Sequence, residues 1–178
     1  KDLNKASLSD PSVNVVNDDA FTHVQDSKAT YDVVLVDLVD PSNEKLAKLY
    51  STEFYRNVEA RLAPEGVMVT QATSTFFSPH AFSTVASTVA AAQPDRKILP
   101  FSTNVPSFGE WGFVLSTKTP QNLISQPLPK GLTYQDPKTL EFIMRTKPAR
   151  TETMEPSTLL HPRIVEVYNR DMRQWRYY

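Results

Sequence analysis

The sequence contains no cysteine and only four glycines and three histidines. Without cysteine, disulfide bonds, thiolate zinc sites and cysteine nucleophiles are excluded. His23, His80 and His161 lie far apart in the sequence, so we expect no His-rich metal site. The 19 basic and 20 acidic residues nearly cancel, so the chain lacks the basic excess that is typical of nucleic-acid-binding proteins. No apolar run approaches the roughly 20 residues that a membrane-spanning helix needs.

Short aliphatic runs alternate with segments of helical periodicity along the chain. At 178 residues, the length predicts one domain with a sizeable core. The runs predict strands at 13–16, 33–36, 67–71, 98–101 and 111–116, and the periodic segments predict helices at 21–25, 44–62, 82–92, 140–144 and 164–175. This alternation predicts an α/β fold with a mostly parallel sheet, and the two late strands predict an antiparallel hairpin at one edge. Four prolines in 119–137 predict a surface connector.

The segment from Asp37 to Ser42 is the most informative part of the sequence, because it directly follows the aliphatic run Val33–Val36. A run of this kind is typical of a central parallel strand, and ligands bind beyond the carboxyl ends of such strands. Asp37 and Asp40 are therefore predicted at the rim of a pocket, where two carboxylates suit a cationic substrate and one can act as a base. The alternative is that Asp37 caps the next element and Asp40 belongs to a turn.

Three further polar residues are candidates for the same site. Asp19 and Gln71 each follow a predicted strand, so both are expected at the shared carboxyl edge of the sheet, with a helix cap or a loop contact as the alternative. Glu110 lies in a dense aromatic segment, Pro106 to Phe113, and is a possible third carboxylate. A tight hairpin is the alternative interpretation of that segment, and packing is the favoured role for its Trp111 and Phe113. Near the end of the chain, several arginines with Trp175, Tyr177 and Tyr178 form either a solvated helix face or a docking surface.

Five stretches of the sequence resemble the polyamine aminopropyltransferases, the spermidine/spermine synthase family. The resemblance spans roughly residues 13–117, the C-terminal part of the catalytic domain, and the matching stretches are 17–21, 31–41, 49–55, 62–71 and 106–113. It implies the Rossmann-like sheet of class I methyltransferases. It also implies transfer of an aminopropyl group from decarboxylated S-adenosylmethionine to an amine such as putrescine, with that donor as a co-substrate and no tightly bound cofactor or metal.

The resemblance assigns roles to individual residues. Asp37 matches the base that removes a proton from the amine, and Asp40 matches a residue that binds the cationic amine. Asp19 and Ala20 match the pair that holds the adenine, and Gln71 matches a glutamine that contacts the amine or the aminopropyl group. The family has a tyrosine where Val105 precedes Pro106, and Phe108 is an insertion, so one expected amine contact is missing.

The glycine-rich nucleotide loop and the acidic residue that holds the ribose in the family would lie before Lys1. We therefore expect residues 1–178 to be a single partial domain, truncated at the N-terminus, with a core at 13–117 and a C-terminal extension at 118–178. Such a chain is expected to be inactive alone and, because its sheet would have unpaired edges, to form homo-oligomers. The expected location is cytoplasmic, although some family members carry the domain on a membrane-spanning region. The alternatives are an S-adenosylmethionine-dependent methyltransferase, which shares the fold, and a non-catalytic assembly module.

Overall fold

A four-stranded mixed sheet forms the centre of the computed structural model, which describes residues 6–120, 130, 136–145, 148 and 151–175. The strands are β1 (Tyr31–Val36), β2 (Leu62–Ser74), β3 (Lys97–Val105) and β4 (Gly109–Thr117), in the order β1-β2-β4-β3. β1 and β2 are parallel, whereas β4 runs antiparallel to both β2 and β3. The predicted α/β fold class with an antiparallel edge hairpin is therefore confirmed.

Within the described residues, six α-helices accompany the sheet: α1 (Ala20–Asp26), α2 (Glu44–Ala47), α3 (Thr52–Glu59), α4 (Pro79–Ala92), α5 (Pro137–Arg145) and α6 (Arg163–Arg173). α3 and α4 pack against β2 and against each other, α5 contacts β3, and α6 packs on α4. None of the helices in the described residues is both long enough and apolar enough to cross a membrane.

Successive strand residues point to opposite faces of a sheet, and in this sheet the core lies on one of the two faces. Met68, Thr70 and Val114 are fully buried under the helices together with Phe82 and Val85 of α4. On the opposite face of β1, by contrast, Val33 and Leu35 are 60% and 73% exposed. The helices therefore cover one face of the sheet and leave the other open at β1.

Two predicted elements differ from the structure. Residues 13–16, predicted as a strand, belong to no strand or helix and join no ladder, and Val15 and Val16 are more than half exposed. A strand needs a neighbour for its backbone N–H and C=O groups, and this segment has none among the described residues. The single helix predicted over 44–62 is divided, because Ser51 has extended backbone angles and its Oγ accepts a hydrogen bond from Phe54 N, which starts α3 as a new helix.

Some predicted features lie outside the described residues. Most of the predicted connector at 119–137 does so, as do Tyr177 and Tyr178 of the predicted docking surface.

Candidate active site

A pocket of about 590 Å³ opens where β1 and β2 reach their carboxyl ends. Three of its walls come from the segment that follows β1, from β2, and from the β3–β4 hairpin. The lining residues are Leu35, Val36, Asp37, Leu38, Val39, Asp40, Val69, Gln71, Val105, Phe108, Trp111 and Phe113. The structure thus brings Asp37, Asp40 and Gln71, three of the residues predicted from strand ends, into one pocket whose remaining lining is apolar or aromatic.

Asp37 is the open carboxylate of the pocket. Its side chain is exposed, and it makes no hydrogen bond or ion pair with any described residue. It does not cap the helix that follows, because the N-cap of α2 is Asn43, whose Oδ1 accepts from Lys45 N and Leu46 N. The capping alternative for Asp37 therefore fails, and its carboxylate is free to meet a ligand.

Asp40 is the enclosed carboxylate of the pocket. Its Oδ2 accepts a 2.9 Å hydrogen bond from Tyr168 Oη, and its Oδ1 lies 3.4 Å from Gln71 Nε2. Burial raises the pKa of Asp40 above its ordinary value, while these two hydrogen bonds act in the opposite direction. The predicted turn also exists, since Ser42 N donates to Asp40 O, so the backbone makes the turn and the side chain faces the pocket.

Gln71 is almost fully buried, and its amide joins the segment after β1 to β4. Its Nε2 donates to Leu38 O at 2.7 Å and to Tyr50 Oη, and its Oε1 accepts from Thr73 N at 2.8 Å and from Trp111 Nε1 at 3.2 Å. These contacts fix which end of the amide carries the oxygen, because only an oxygen can accept from the two N–H groups. Gln71 therefore holds the backbone beside both carboxylates.

Strained backbone follows Gln71 within β2. Thr73 is buried at a φ of 68°, a left-handed conformation that a β-branched residue rarely adopts. The register of β2 against β4 shifts between Gln71 and Ser74, so the strain coincides with a bulge. Backbone strain of this kind occurs mostly where the surrounding structure requires it, often at functional sites. Here it places Thr73 N against the Gln71 side chain.

Aromatic side chains of the β3–β4 hairpin form the outer wall. The rings of Phe108 and Trp111 contact each other at a tilt of 52°, with centroids 5.3 Å apart, and Phe108 remains 60% exposed. Trp111, for which the sequence favoured packing over ligand contact, lines the pocket and also donates to Gln71. Val105 occupies the wall at the position where the resemblance expects a tyrosine, so the wall is more apolar there.

Three predicted site residues lie away from this pocket. Glu110 is exposed, is absent from the pocket lining and accepts a 2.8 Å hydrogen bond from Ser102 Oγ, because side chains alternate along β4 and Trp111 takes the position facing the pocket. Asp19 caps α1, accepting from Thr22 N, and its Oδ2 lies 2.6 Å from Lys48 Nζ. That hydrogen bond from Lys48, followed by the one from Thr22, lowers the pKa of Asp19. Ala20 is the first residue of α1. The adenine-binding roles of Asp19 and Ala20 stay predictions.

Two tyrosines that the sequence did not indicate as site residues support the site. Tyr50 is fully buried and donates from Oη to Val39 O at 2.9 Å. Burial raises the pKa of Tyr50 above its ordinary value, so this hydroxyl stays protonated. Tyr168 lies in α6, and no local pattern in the sequence connects it with Asp40, 128 positions earlier. Contacts of such separation follow from the packing of α6 and not from a motif.

These features define an α/β domain that carries a carboxylate pair and an aromatic wall at the ends of adjacent strands. The family model described as the spermine/spermidine synthase domain matches residues 2–126. The chain belongs to the spermine/spermidine synthase domain family, as the resemblance predicted.

Among curated proteins, the chain is 40% identical to polyamine aminopropyltransferase 1 of Streptomyces coelicolor, over 99% of this chain and 33% of that protein. It is 39% identical to a polyamine aminopropyltransferase of Mycobacterium tuberculosis, over 97% of this chain and 33% of that protein. The chain therefore spans about a third of the length of the curated relatives it matches.

Solved structures show the same fold. A spermidine synthase crystallised with the transition state analogue AdoDATO superposes with a TM-score of 0.64 over 79% of this chain and 50% of that chain, at 21% identity. Spermidine synthase from Thermotoga maritima superposes with a TM-score of 0.55 over 98% of this chain and 55% of that chain, at 18% identity. The described sheet and helices are thus arranged as in spermidine synthases.

Proposed function

We propose that the protein containing this chain transfers an aminopropyl group to an amine acceptor and that the pocket bounded by Asp37, Asp40 and Gln71 binds the acceptor. The observation that carries this proposal is a pair of carboxylates in one otherwise apolar and aromatic pocket, found in a member of the spermine/spermidine synthase domain family. Two carboxylates attract an ammonium group, and apolar walls suit the methylene chain that such an amine carries.

The chemistry requires an amine without its extra proton, because only the free lone pair can attack carbon. In the proposed reaction, the Asp37 carboxylate accepts that proton. The amine nitrogen then forms a bond to the aminopropyl carbon attached to the sulfonium of decarboxylated S-adenosylmethionine, and the C–S bond breaks. Sulfur keeps the electron pair and leaves as neutral methylthioadenosine. Positioned bases of this kind contribute about 10²–10⁴-fold to a rate.

The remaining candidates have supporting parts in this proposal. Asp40 holds the second, charged end of the acceptor, and Gln71 keeps the loop between the two carboxylates in place. Asp19 and Ala20, at the start of α1, contact the adenine of the donor. Glu110 lies away from the pocket and accepts from Ser102 Oγ, so it takes no part in binding the acceptor in this proposal. Three further properties stay predictions from the sequence. They are association of the protein with further copies of itself, activity that needs more than residues 1–178, and a cytoplasmic location.

The full-length natural protein tests this proposal directly. It is incubated with decarboxylated S-adenosylmethionine and, separately, with putrescine, cadaverine, agmatine or spermidine, and methylthioadenosine and the aminopropylated amine are quantified by mass spectrometry. Parallel reactions with S-adenosylmethionine report S-adenosylhomocysteine, the product expected of the methyltransferase alternative. Methylthioadenosine formed in proportion to the new amine supports the proposal. Formation of S-adenosylhomocysteine alone, or of neither product with any amine, refutes it.

A further inference from the structure

The C-terminal helix α6 is attached to the loop after β1, which lines the pocket, and to the loop after β2. Three side chains on and just after α6 donate hydrogen bonds to these loops: Tyr168 Oη to Asp40 Oδ2 at 2.9 Å, Asn169 Nδ2 to Ser42 O at 3.2 Å, and Trp175 Nε1 to Phe77 O at 2.8 Å. The first two contacts reach the loop after β1, and the third reaches the loop after β2. The three donor residues lie beyond residues 2–126, the part of the chain that matches the family model.

α6 itself is firmly seated. Ile164 is fully buried in the core cluster, and the carboxylate of Asp171, only 2% exposed, accepts from His80 N and Ala81 N at the start of α4. Asp171 Oδ1 also lies 2.8 Å from His80 Nδ1. A helix fixed by a buried side chain and a buried cap presents its other side chains in defined positions, so the Tyr168 hydroxyl reaches Asp40 from a rigid support.

We propose that Tyr168 is a positioning residue of the acceptor site, which orients the Asp40 carboxylate toward the pocket and stabilises its charge. The effect of this contact on catalysis rests on the proposed function, whereas its effect on the charge of Asp40 does not. Tyr168 stands outside the pocket lining, so it acts through Asp40 and does not contact the acceptor.

The physical need for such a donor follows from the surroundings of Asp40. Burial penalises its charged form, and no cation lies among the groups that shift it. The ionisable groups that interact with it are Tyr50 and Tyr168, and Asp37 is the second carboxylate of the same loop. Burial and the neighbouring Asp40 charge both raise the pKa of Tyr168, so its hydroxyl remains a donor at neutral pH. An O–H donated to a carboxylate favours the ionised form, which is the form that binds an ammonium.

The test compares Tyr168→Phe with Tyr55→Phe in the full-length protein. The first change removes only the hydroxyl that meets Asp40. The control removes a buried hydroxyl whose neighbour is Thr70 Oγ1, at 3.4 Å, away from the pocket. Asp40 is titrated by NMR with ¹³C-carboxyl-labelled aspartate, and its signal is identified by its loss in Asp40→Asn. We expect the Asp40 pKa to rise by about half to one unit in Tyr168→Phe and to stay unchanged in the control.

Kinetics give a second readout. At a pH close to the Asp40 midpoint, Tyr168→Phe is expected to raise the acceptor KM by about 3- to 10-fold, to leave the donor KM unchanged, and to recover as the pH rises. Replacement of Tyr168 by a fluorinated tyrosine, whose hydroxyl is a stronger donor, is expected to move the Asp40 midpoint the opposite way while retaining the fold.

The outcomes separate the two proposals. Superimposable Asp40 titrations in wild type, Tyr168→Phe and the fluorinated protein would overturn this inference even if the enzyme is active. An enzyme with no aminopropyl transfer but with the expected titration shifts would refute the proposed function and leave the pairing of Tyr168 with Asp40 established.

Discussion

Replacement of Gln71 by glutamate tests whether the amide network holds the pocket together. The side chain keeps its length, and one carboxylate oxygen can still accept from Thr73 N and Trp111 Nε1. The other oxygen replaces Nε2 and loses the ability to donate to Leu38 O, which lies 2.7 Å from Nε2 in the native protein. In its ionised form the new side chain therefore faces a carbonyl oxygen and the Asp40 carboxylate.

The loss in the free energy of unfolding follows from these contacts. Loss of the 2.7 Å hydrogen bond to Leu38 O, which keeps only a 3.4 Å contact from Tyr50 Oη, costs about 1–3 kcal/mol, and a charged group placed in a buried site beside Asp40 adds at least a similar amount. We therefore expect Gln71→Glu to lower the free energy of unfolding by about 3–5 kcal/mol when the introduced carboxyl is ionised. When protonated, the carboxyl donates its O–H to Leu38 O much as the amide did, and the loss falls to about 1 kcal/mol or less.

The variant should consequently show a pH dependence of stability in addition to that of the native protein. Burial and Asp40 both favour the neutral form, so the introduced carboxyl has a raised pKa in the folded state. The folded protein then binds this proton more tightly than the unfolded chain does. The stability difference from wild type therefore grows as the pH rises above about 4.3, the ordinary glutamate value, by at most about 1.4 kcal/mol per pH unit, and levels off above the folded-state pKa.

Urea unfolding at several pH values between 5 and 8 measures this difference. Gln71→Leu serves as one control, because it loses all hydrogen bonds of the amide without adding a titrating group, and it should be destabilised relative to wild type by a similar amount at every pH. Gln25→Glu, on the exposed face of α1, adds the same charge at the surface and should change little. A loss below about 1 kcal/mol in Gln71→Glu, constant over this range, would refute the view that the amide donor is committed to Leu38 O.

Three other variants are expected to affect turnover, acceptor binding and stability separately. Asp37→Asn should lower turnover by about 10²–10⁴-fold with little change in donor binding, and near-normal turnover would reject its role as the base. Asp40→Asn should raise the acceptor KM at saturating donor, and an unchanged KM would show that Asp40 is only a turn residue. Gly112→Ala should destabilise the protein by about 1–3 kcal/mol, because its Cβ would lie 2.6 Å from Phe82 Cε2 and 3.0 Å from Thr73 O. An unchanged Tm would show that the Phe82 ring moves aside freely.

The sequence predicted the parts of this site that depend on strand ends. Val33–Val36 and Val67–Gln71 are apolar runs, and parallel strands place the residues that follow them at one edge of the sheet. Asp37, Asp40 and Gln71 lie together for that reason. The pattern for residues 13–16 was similar but weaker, and it failed because a strand also needs a partner.

The sequence did not predict the parts that depend on packing between distant elements. Which way Glu110 points is decided by the register of β4 against β2, in which Trp111 pairs with Ser74 beyond the bulge at Thr73. The bond from Tyr168 to Asp40 requires α6 to dock on α4 through Asp171, a contact between residues 90 positions apart. Neither the register nor the docking leaves a local signal in the chain.

The two carboxylates of the pocket occupy different environments, and the difference bears on how their roles would divide. Asp37 is exposed and makes no hydrogen bond to a described residue, so its lone pairs are available to a proton on a bound amine. Asp40 is half-buried and already accepts from Tyr168, so its position is fixed before any ligand arrives. A base needs an unoccupied carboxylate, whereas an anchor benefits from a fixed one. The environments therefore support Asp37 as the base and Asp40 as the anchor, and they would argue against the reverse assignment even without the resemblance.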